Sequence, residues 1–389
     1  MRIMHISTRL ILGGSQENTV LSCEGQAARG HEVSLVFGPI YGPEGSMLER
    51  VQKAGSIEAI ETPNLVRELA PLRDLRCQRD LRRIIRDWKP DVVHTHSSKA
   101  GILGRIAAWK ERVPAVIHTV HGPPFHRHEK KWRNALYILA ERYAARRCHR
   151  IVCVAEAMRE QFLAAKIGRP DQYAVVFSGM EVEPFLHPQH DPEQVRKELG
   201  FSSDDFIVGT IARLAELKGH DDLLDAMRPL FVARPNLKLL WVGDGWWRER
   251  LEARLEEMKL RDRVVTTGLV RPEEIPRYLQ AMDVLAHPSY REGLPRTVTQ
   301  ALLSARPVIA YDVDGTREVC RHNQTGKLLE PADIEALREA VLWMMDHPEE
   351  RRAMGERGRA MCREPFSAAT MVESLEALYR ESLDDGGVA

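Results

Sequence analysis

The chain contains 389 residues, of which 43% are hydrophobic and 29% are charged. This composition is typical of globular proteins with hydrophobic cores, and it excludes the collagen-like, disordered and small disulfide-scaffold classes. At about 100–200 residues per domain, the length predicts two domains. No apolar run approaches the ~18 residues of a membrane-spanning helix, and residues 1–12 lack the pattern of a secretory signal, so neither feature is expected.

The net charge is zero, but it is unevenly distributed along the chain. Residues 1–190 carry 28 Lys and Arg against 20 Asp and Glu, whereas residues 191–389 carry 28 against 36. The asymmetry indicates that the first half meets an anionic partner, such as a membrane surface, a phosphate or a nucleic acid. A solvated helix face is the alternative. Nucleic-acid binding is disfavoured because no recognised motif for it accompanies the charge.

The six cysteines include no C-x-x-C pair, which argues against a zinc ribbon or a redox motif. Most of them stand in apolar runs and are therefore predicted to be small core residues. Free core thiols fit a reducing compartment, and a cytoplasmic location is expected.

Short apolar runs alternate with helix-length segments along the chain. Because the runs are continuous, they predict strands buried on both faces, as in parallel sheets covered by helices. The strands are expected near residues 3–7, 33–37, 57–60, 91–96, 115–120, 151–155, 174–177, 206–212, 237–242, 264–267, 284–286, 308–310 and 327–329. The alternation restarts near residue 201, after a polar, proline-containing linker. This pattern predicts two doubly wound α/β domains, at 1–187 and 193–365, followed by a C-terminal helix and tail at 366–389.

In open parallel sheets, ligands bind at the carboxyl ends of the strands, so the residues that follow each strand carry the functional information. Gly13 and Gly14 follow the first strand and open a helix, where backbone N–H groups can meet an anion. A plain tight turn is the alternative. His121 follows the fifth strand and precedes Gly122-Pro123-Pro124, a rigid turn that suits ligand contact, although a structural histidine remains the alternative.

His94 and His96 stand two residues apart on the fourth predicted strand and therefore face the same way. No carboxylate or cysteine cluster accompanies them, so no metal site is predicted. Ser97 or Ser98 is expected to cap the next helix. Lys99 could hold a phosphate beside the exposed N–H groups, but ordinary helix capping is the simpler interpretation.

In the second half, Arg213 and Lys218 stand in one loop after a strand, which suits a clamp for a diphosphate. The next strand ends in the tight turn Gly243-Asp244-Gly245. The most informative segment places Glu292 before a helix that begins at Pro295, with Gln300 two turns further on. A carboxylate, a helix N-terminus and a polar hydrogen-bonding group together suit a sugar linked to a phosphate.

These motifs resemble the retaining glycosyltransferases of the GT-B fold, specifically glycosyltransferase family 4, over nearly the whole chain. The resemblance rests on Gly13-Gly14, His121-Gly122, Ala212-Arg213-Leu214 through Lys218-Gly219, Gly243-Asp244-Gly245, and Glu292-Gly293-Leu294-Pro295 leading to Gln300. The segments 95–101 and 118–122 are most similar to bacterial members that build capsule, O-antigen or other surface polysaccharides. The resemblance implies two Rossmann-like domains that face a central cleft, with the C-terminal helix packed on the first domain.

The family implies roles for the matching positions. Arg213 and Lys218 would stabilise the departing nucleotide diphosphate, and Glu292 would hold hydroxyls of the donor sugar. His121 would contact that sugar near the reacting carbon, and Gly14 would leave room for the diphosphate. The other substrate-binding positions implied are Gly13, Gly243, Asp244, Gly245, Gly293, Leu294 and Gln300.

Gln300 departs from the family pattern, which usually has a second glutamate eight residues after the first. Glutamine carries no charge and binds ribose hydroxyls differently, so donor affinity or nucleotide choice could shift. Asp312 and Asp314 imitate the metal-binding D-x-D motif of another glycosyltransferase fold. They lie away from the place where that motif works, and neither a divalent metal nor a cofactor is expected.

The basic segments of the first half suggest how the protein would reach a lipid-linked acceptor. Six arginines crowd residues 73–86, and Arg127, Lys130, Lys131 and Arg133 adjoin Trp132, Leu136 and Tyr137. A basic helix with aromatic edges can lie on an anionic membrane surface. For residues 73–86, a solvated helix with interleaved aspartates is an equal alternative.

The sequence therefore predicts a cytoplasmic, metal-independent hexosyltransferase. It would move a sugar, with retention of configuration, from a nucleotide-diphosphate donor to a hydroxyl of a glycan acceptor that is expected to be lipid-linked, and no nucleic-acid partner is expected. Two alternatives stay open, which are a GT-B-like nucleotide-sugar epimerase and a catalytically silent sugar-nucleotide-binding relative. The donor sugar, the nucleotide, the acceptor and the oligomeric state do not follow from the sequence.

Overall fold

The computed structural model describes residues 1–40, 45–126 and 129–386. It divides into two compact units, one formed by Met1–Met180 with the segment from Pro365 to the C-terminus, and one formed by Glu181–Glu364. The sequence places the domain boundary near residue 187, within the segment that begins the second unit.

Strands and helices alternate through both units. The strands are β1 (Arg2–Ser7), β2 (Glu32–Phe37), β3 (Ile57–Glu61), β4 (Val92–His96), β5 (Ala115–Val120), β6 (Arg150–Cys153), β7 (Tyr173–Val175), β8 (Phe206–Ile211), β9 (Leu237–Val242), β10 (Val264–Thr266), β11 (Val284–His287), β12 (Val308–Tyr311) and β13 (Gly326–Leu329). The sequence places a strand at each of these positions, and the ends differ by no more than a few residues.

The helices connect the strands as crossovers. They are α1 (Gly14–Ala28), α2 (Leu48–Ala54), α3 (Pro71–Trp88), α4 (Ser98–Lys110), α5 (Lys131–Ala145), α6 (Glu156–Ala164), α7 (Glu183–Leu186), α8 (Pro192–Glu198), α9 (His220–Ala233), α10 (Arg248–Glu257), α11 (Ile275–Ala281), α12 (Arg296–Leu303), α13 (Thr316–Val319), α14 (Ile334–Asp346), α15 (Pro348–Cys362) and α16 (Ala368–Gly386). Within the described ranges, no helix is long and apolar enough to cross a membrane.

The first unit contains a seven-stranded sheet in the order β3-β2-β1-β4-β5-β6-β7. Every neighbouring pair is parallel, as the continuous apolar runs predict. The strand order reverses between β1 and β4, so the loops that follow these two strands leave the sheet in different directions. Such a switch point opens a crevice at the carboxyl edge of the sheet.

Alternate residues of the first sheet face two separate helical layers. Met4, Val93 and Val116 pack with buried residues of α3 and α4. Ile3 and Ile117 lie on the opposite face, in a cluster that also contains residues of α1 and α16. The C-terminal helix α16 therefore belongs to the first unit, as predicted, and it packs against α1 and β5.

The second unit contains a six-stranded sheet in the order β10-β9-β8-β11-β12-β13. Its neighbouring strands are also parallel, and the order reverses between β8 and β11. A buried core that includes Trp241, Tyr311 and Met344 joins the sheet to its helices. All six cysteines of the chain are buried and none forms a disulfide, which agrees with the prediction of core thiols.

One ion pair lies inside the core of the first unit. Arg105 of α4 donates to Glu141 of α5 at 2.6 Å, and both side chains are buried. Arg105 Nε also donates to the carbonyl oxygen of Gly101 at 2.8 Å. These bonds join α4 to α5 and compensate two charges that would otherwise be costly to bury.

We expect Arg105→Met to lower the free energy of unfolding by about 3–5 kcal/mol, because it leaves the Glu141 carboxylate buried without its partner. Urea unfolding followed by circular dichroism measures the loss. The double variant Arg105→Met/Glu141→Leu should recover much of it. As a control, Lys53→Met breaks an exposed pair on α2 and should change stability little. An Arg105→Met variant as stable as the parent would contradict a structural role for the pair.

Candidate functional site

The candidate residues of the second unit stand in the loops that follow β8 and β11. These two strands are neighbours at the point where the strand order reverses. The first loop carries Arg213 and Lys218, and the second carries Glu292. The sheet topology therefore joins residues that are more than seventy positions apart in sequence, as the contact between Lys218 and Glu292 shows.

Glu292 is the centre of this polar cluster. Its Oε1 accepts from Lys218 Nζ at 2.6 Å and from His287 Nε2 at 2.9 Å. Burial alone would raise the pKa of Glu292, but the charges of Lys218 and His287 and their hydrogen bonds hold it well below its usual range. Glu292 is therefore an anion at neutral pH, placed at the end of β11.

The two loops are also joined through their backbones. The carbonyl oxygen of Leu217 accepts from the Tyr290 amide at 2.8 Å and from Ser289 Oγ at 3.1 Å. Gly219 has φ +71°, and a Cβ there would lie 1.9 Å from the carbonyl oxygen of Pro288. Only glycine fits this close approach, which holds Lys218 beside the second loop.

The start of α9 adds a further link between the two loops. Asp222 Oδ2 accepts from the hydroxyls of Tyr290 at 2.5 Å and Tyr311 at 2.7 Å. A single carboxylate oxygen thus holds the loop after β11 and the end of β12. This arrangement fixes the residues that flank Glu292.

The pair Asp312 and Asp314 has contacts of its own. Both oxygens of Asp312 accept from Arg317, at 2.9 and 2.6 Å. Asp314 Oδ2 accepts from the Glu292 amide at 2.8 Å, and the Gly315 amide donates to the Gly293 carbonyl oxygen at 3.1 Å. Asp314 thus holds the backbone of the Glu292 loop, a role that sequence reasoning missed.

The turn after β9 packs against the loop after β8. Gly243 has φ +137°, and a Cβ there would lie 2.2 Å from the Ala212 carbonyl oxygen. A Cβ on Gly245 would lie 2.2 Å from the Leu214 carbonyl oxygen. Asp244 Oδ1 accepts from the Gly245 amide and Oδ2 pairs with Arg248. The sequence predicts these glycines for close approach of a ligand, but the backbone they approach is that of the neighbouring loop.

Arg213 and Gln300 complete the predicted set in this unit. Arg213 is exposed and lies 5.6 Å from the ring centroid of Trp246. Among the described residues, no carboxylate forms an ion pair with it. Helix α12 begins at Arg296, with Pro295 as its N-cap rather than its first residue, so half-buried Gln300 lies in the second turn. Leu294 is buried beside this helix start.

The candidate site residues of the first unit, Gly13, Gly14 and His121, stand after two different strands. Gly13 and Gly14 are exposed, and α1 begins at Gly14, as predicted. His121 directly follows β5 and is half-buried. Lys99, for which the sequence favours ordinary helix capping over a phosphate contact, donates through Nζ to Asp74 at 2.6 Å and to the Glu68 carbonyl oxygen at 3.0 Å. These bonds hold Lys99 against the start of α3 instead of the N-terminus of its own helix.

His121 belongs to a row of hydrogen-bonded side chains. His96 Nδ1 lies 3.1 Å from His121 Nε2, and His96 Nε2 lies 2.9 Å from His5 Nδ1. His5 Nε2 in turn lies 2.8 Å from Gln26 Oε1 on α1. The row continues from Gln26 to Tyr379 of α16.

Gln26 Nε2 donates to the Tyr379 hydroxyl at 3.2 Å, and that hydroxyl lies 2.5 Å from His94 Nδ1. His94 Nε2 lies 2.7 Å from Thr119 Oγ1. His5 pairs with His94 in the register of β1 and β4, so the two rings lie side by side on the face covered by α1 and α16. All these groups except His121 are buried.

Burial keeps these imidazoles neutral. It lowers the pKa of His5 to about 4, although the hydrogen bond to Gln26 acts in the opposite direction. Burial and the neighbouring histidines lower the pKa values of His94 and His96 well below the usual range. The row is therefore a neutral network at physiological pH.

One ring nitrogen from each of His5, His94 and His96 lies within 4.8 Å of the other two. Three histidines at such distances can hold a zinc ion. The sequence singled out His94 and His96 but missed His5, because β1 is far from them in the chain. Sequence reasoning also missed Gln26 and Tyr379, which lie on helices. His287 could have been noticed, since it ends a strand five residues before Glu292.

Two family models and several known proteins match this chain. Residues 13–179 match the model of the glycosyl transferase 4-like domain, and residues 191–361 match that of the glycosyl transferases group 1. A curated relative from Escherichia coli, UDP-Gal:alpha-D-GlcNAc-diphosphoundecaprenol alpha-1,3-galactosyltransferase, is 27% identical and covers 97% of this chain and 96% of its own length. The capsular polysaccharide biosynthesis glycosyltransferase CapM from Staphylococcus aureus is 23% identical over 82% of this chain and 84% of its own.

Solved structures share the fold. HepE from Anabaena in complex with UDP-glucose superposes with a TM-score of 0.82 at 18% identity and covers 98% of this chain and 100% of its own. Sucrose-phosphate synthase from Thermosynechococcus elongatus gives a TM-score of 0.81 at 21% identity, with 98% and 99% coverage. At these identities the likeness shows the fold alone.

We expect stability to fall as the pH is lowered from about 6.5 towards 4. His5, His94, His96 and His118 all have pKa values lowered by burial. In this window the unfolded chain binds protons that the folded chain does not, so each histidine lowers the free energy of unfolding by up to about 1.4 kcal/mol per pH unit. Thermal unfolding at pH 7, 6, 5 and 4.5, with proton uptake measured by calorimetry in two buffers, tests this expectation. Equal stability and no proton uptake between pH 7 and 5 would contradict it.

Proposed function

Because this chain belongs to the GT-B glycosyltransferases that combine a glycosyl transferase 4-like domain with a group 1 domain, we propose that it transfers a hexosyl unit from a UDP-sugar to a hydroxyl of a lipid-linked glycan. The observation that carries the proposal is the pairing of Lys218 with Glu292 at the switch point of the second sheet. A cation and an anion are held there, at the carboxyl edge of the sheet, by loops whose backbones are joined.

The second unit is the proposed donor site. Arg213 and Lys218 provide positive charge for a diphosphate, and the N-terminus of α12 provides backbone N–H groups for a phosphate. Glu292 would accept from hydroxyls of the sugar, and Gln300 from a hydroxyl of the ribose. UDP is proposed as the nucleotide because the E. coli relative is named for UDP-Gal and HepE was solved with UDP-glucose.

The proposed reaction retains the configuration of the sugar. The bond between the anomeric carbon and the diphosphate oxygen breaks, and a bond from that carbon to the acceptor oxygen forms on the same face. The leaving diphosphate takes the proton of the acceptor hydroxyl. Arg213 and Lys218 stabilise the negative charge that develops on the diphosphate, which is where preorganised cations contribute most.

Metal independence is part of the proposal. Two cations already stand in the loop after β8, and Asp312 and Asp314 are engaged by Arg317 and by the Glu292 amide. In the proposal Arg213 supplies positive charge to the diphosphate in place of a divalent ion, and Lys218 shares its charge between Glu292 and the diphosphate. The free, buried cysteines fit a reducing cytoplasm, where we place the reaction.

We expect Arg213→Met to lower kcat by about 10²–10³-fold, because it removes a charge that acts on the leaving group. Glu292→Gln should weaken donor binding, because a neutral amide attracts Lys218 and accepts from the sugar hydroxyls less strongly than a carboxylate does. Radiolabel transfer from a panel of nucleotide-diphosphate sugars to a synthetic polyprenyl-diphosphate-linked acceptor measures both, with and without EDTA.

Arg234→Met is the matched control, since it removes an exposed arginine of the same unit that pairs with Asp346, and it should retain activity. Full activity in Arg213→Met or loss of activity in EDTA would contradict the proposed chemistry. Release of an epimerised sugar nucleotide without transfer would favour an epimerase. Donor binding without turnover by the folded parent would favour a silent relative.

We propose that the protein binds its acceptor at a membrane surface. Trp132, Leu136, Leu139 and Tyr143 recur at helical spacing and form an exposed apolar strip along α5, with exposures of 46–64%. Lys131 and Arg133 flank its beginning. The strip includes Leu139 and Tyr143, whereas Tyr137, which the sequence suggested, is half-buried. Arg127, also suggested, lies outside the described residues.

The neighbouring helix α3 adds a second exposed edge. Leu72 and Leu75 are 76% and 54% exposed, and Arg73, Arg76 and Arg79 are exposed between and beyond them. Arg82 and Arg86 instead pair with Glu111, so only part of this basic segment is available. Helix α4 packs against both α3 and α5. Apolar side chains with basic neighbours suit an anionic membrane surface.

We expect the triple variant Trp132→Gln/Leu136→Gln/Leu139→Gln to bind vesicles that contain phosphatidylglycerol at least about tenfold more weakly, because the apolar strip is lost. Co-sedimentation with anionic and with zwitterionic vesicles measures the change. Val232→Gln replaces an 86% exposed residue of the second unit and is the control. Equal binding by parent and triple variant, or no binding by the parent, would refute the proposed surface.

A further inference from the structure

The hydrogen bonds between Gln26, His5, His96 and His121 all run in one direction along the row. Gln26 Oε1 can only accept, so His5 must carry its proton on Nε2 to bond with it. A neutral His5 then has a bare Nδ1, which accepts from His96 Nε2. His96 in turn has a bare Nδ1, which accepts from His121 Nε2. Each imidazole thus fixes the tautomer of the next.

The orientation of the Gln26 amide sets this direction, and the Tyr379 hydroxyl follows it, because a hydroxyl can both donate and accept. Gln26 Nε2 donates to the Tyr379 hydroxyl, whose proton is then directed to His94 Nδ1. His94 therefore carries its proton on Nε2 and donates to Thr119 Oγ1. Every donor in the row meets an acceptor, and turning the Gln26 amide would reverse all of the bonds together.

We infer that the row Gln26–His5–His96 holds His121 in the Nε2–H tautomer, with Nδ1 as its hydrogen-bond acceptor. Gln26, His5 and His96 are thus positioning residues for His121. The inference about the tautomer does not depend on the proposed function. Only a catalytic role of His121 rests on it, because His121 acts on a sugar only if the protein is the proposed transferase. The fixed tautomer itself is a property of the first unit.

The consequence is chemical selectivity at His121. An imidazole whose Nδ1 is unprotonated can accept from a hydroxyl such as that of a sugar, whereas the opposite tautomer has a donor at that nitrogen. The row also keeps its members neutral, because a proton added to His5 or His96 would leave two donors facing each other. Burial lowers the pKa values of both rings, which agrees with a row of neutral imidazoles.

A zinc ion on His5, His94 and His96 is the competing use of the same rings. The distance of 2.9 Å between His5 Nδ1 and His96 Nε2 is that of a hydrogen bond. Two nitrogens bound to one tetrahedral zinc at about 2.05 Å would lie farther apart. Each ring nitrogen of the three histidines also has a hydrogen-bonding partner in the row. The observed arrangement therefore favours the tautomer row.

The test is ¹⁵N NMR of histidine-labelled, full-length protein at pH 7.5, with the His121 signals assigned by their loss in His121→Asn. We expect a single Nε2–H tautomer for His121 in the parent. Gln26→Met removes the acceptor of His5 Nε2–H and should make the Nδ1–H form of His121 dominant. Gln26→Glu retains an acceptor oxygen for His5 and should restore the parent tautomer.

Activity provides the second readout. In Gln26→Met, kcat should fall about fivefold or more, because a buried donor without a partner shifts the tautomer equilibrium by at least that factor. The Kd for UDP should stay within about twofold, because the proposed nucleotide site is in the other unit. Ser22→Ala, also buried on α1 but outside the row, should change neither quantity.

Three results would overturn the inference: a His121 of the parent that is mainly Nδ1–H or a mixture, a Gln26→Met variant with the parent tautomer, or one tightly bound zinc per chain after dialysis. The NMR result does not depend on turnover. If the parent showed the expected tautomer but transferred no sugar, the proposed function would fail while the row would stand.

Discussion

Parallel strand pairing is the constraint on which both units depend. Neighbouring parallel strands need crossover connections, so their carboxyl ends all emerge at one edge of the sheet. In each unit the chain begins in the middle of the sheet and later crosses to the other side, which separates the loops after β1 and β4 and those after β8 and β11. Most of the polar clusters described above lie at these edges. Long-range pairs such as Lys218 with Glu292 follow from this arrangement.

The two units bury polar groups in different ways. The second unit holds a charged carboxylate, which is stabilised by an ammonium group and an imidazole at the end of β11. The first unit holds a neutral row of imidazoles, an amide and a phenol, in which each donor meets an acceptor. Buried charges need partners of opposite sign, whereas buried neutral groups need only complementary hydrogen bonds. The charged cluster suits the binding of an ionic ligand, and the neutral row suits a fixed tautomer.

The C-terminal helix links the end of the chain to this neutral row. Helix α16 follows the second unit in sequence but packs against α1 and β5 of the first. Tyr379 enters the row, and buried Glu376 accepts from Arg29 and His31 near the end of α1. A helix that only covered an apolar face could be replaced by others of similar shape. These polar contacts instead require particular residues at particular turns of α16.

The sequence by itself determined the strand positions, the α/β class and the family, and the resemblance to that family implied the return of the last helix. These features depend on local apolar runs and on short motifs, both of which are visible in one dimension. Only the tertiary structure decided that Asp314 holds the Glu292 loop, that Gly243 and Gly245 pack on backbone, and that Lys99 bonds to α3. Those outcomes depend on which strands become neighbours. His5, Gln26 and Tyr379 show the same limit, because crossovers and a terminal helix bring them together from the two ends of the chain.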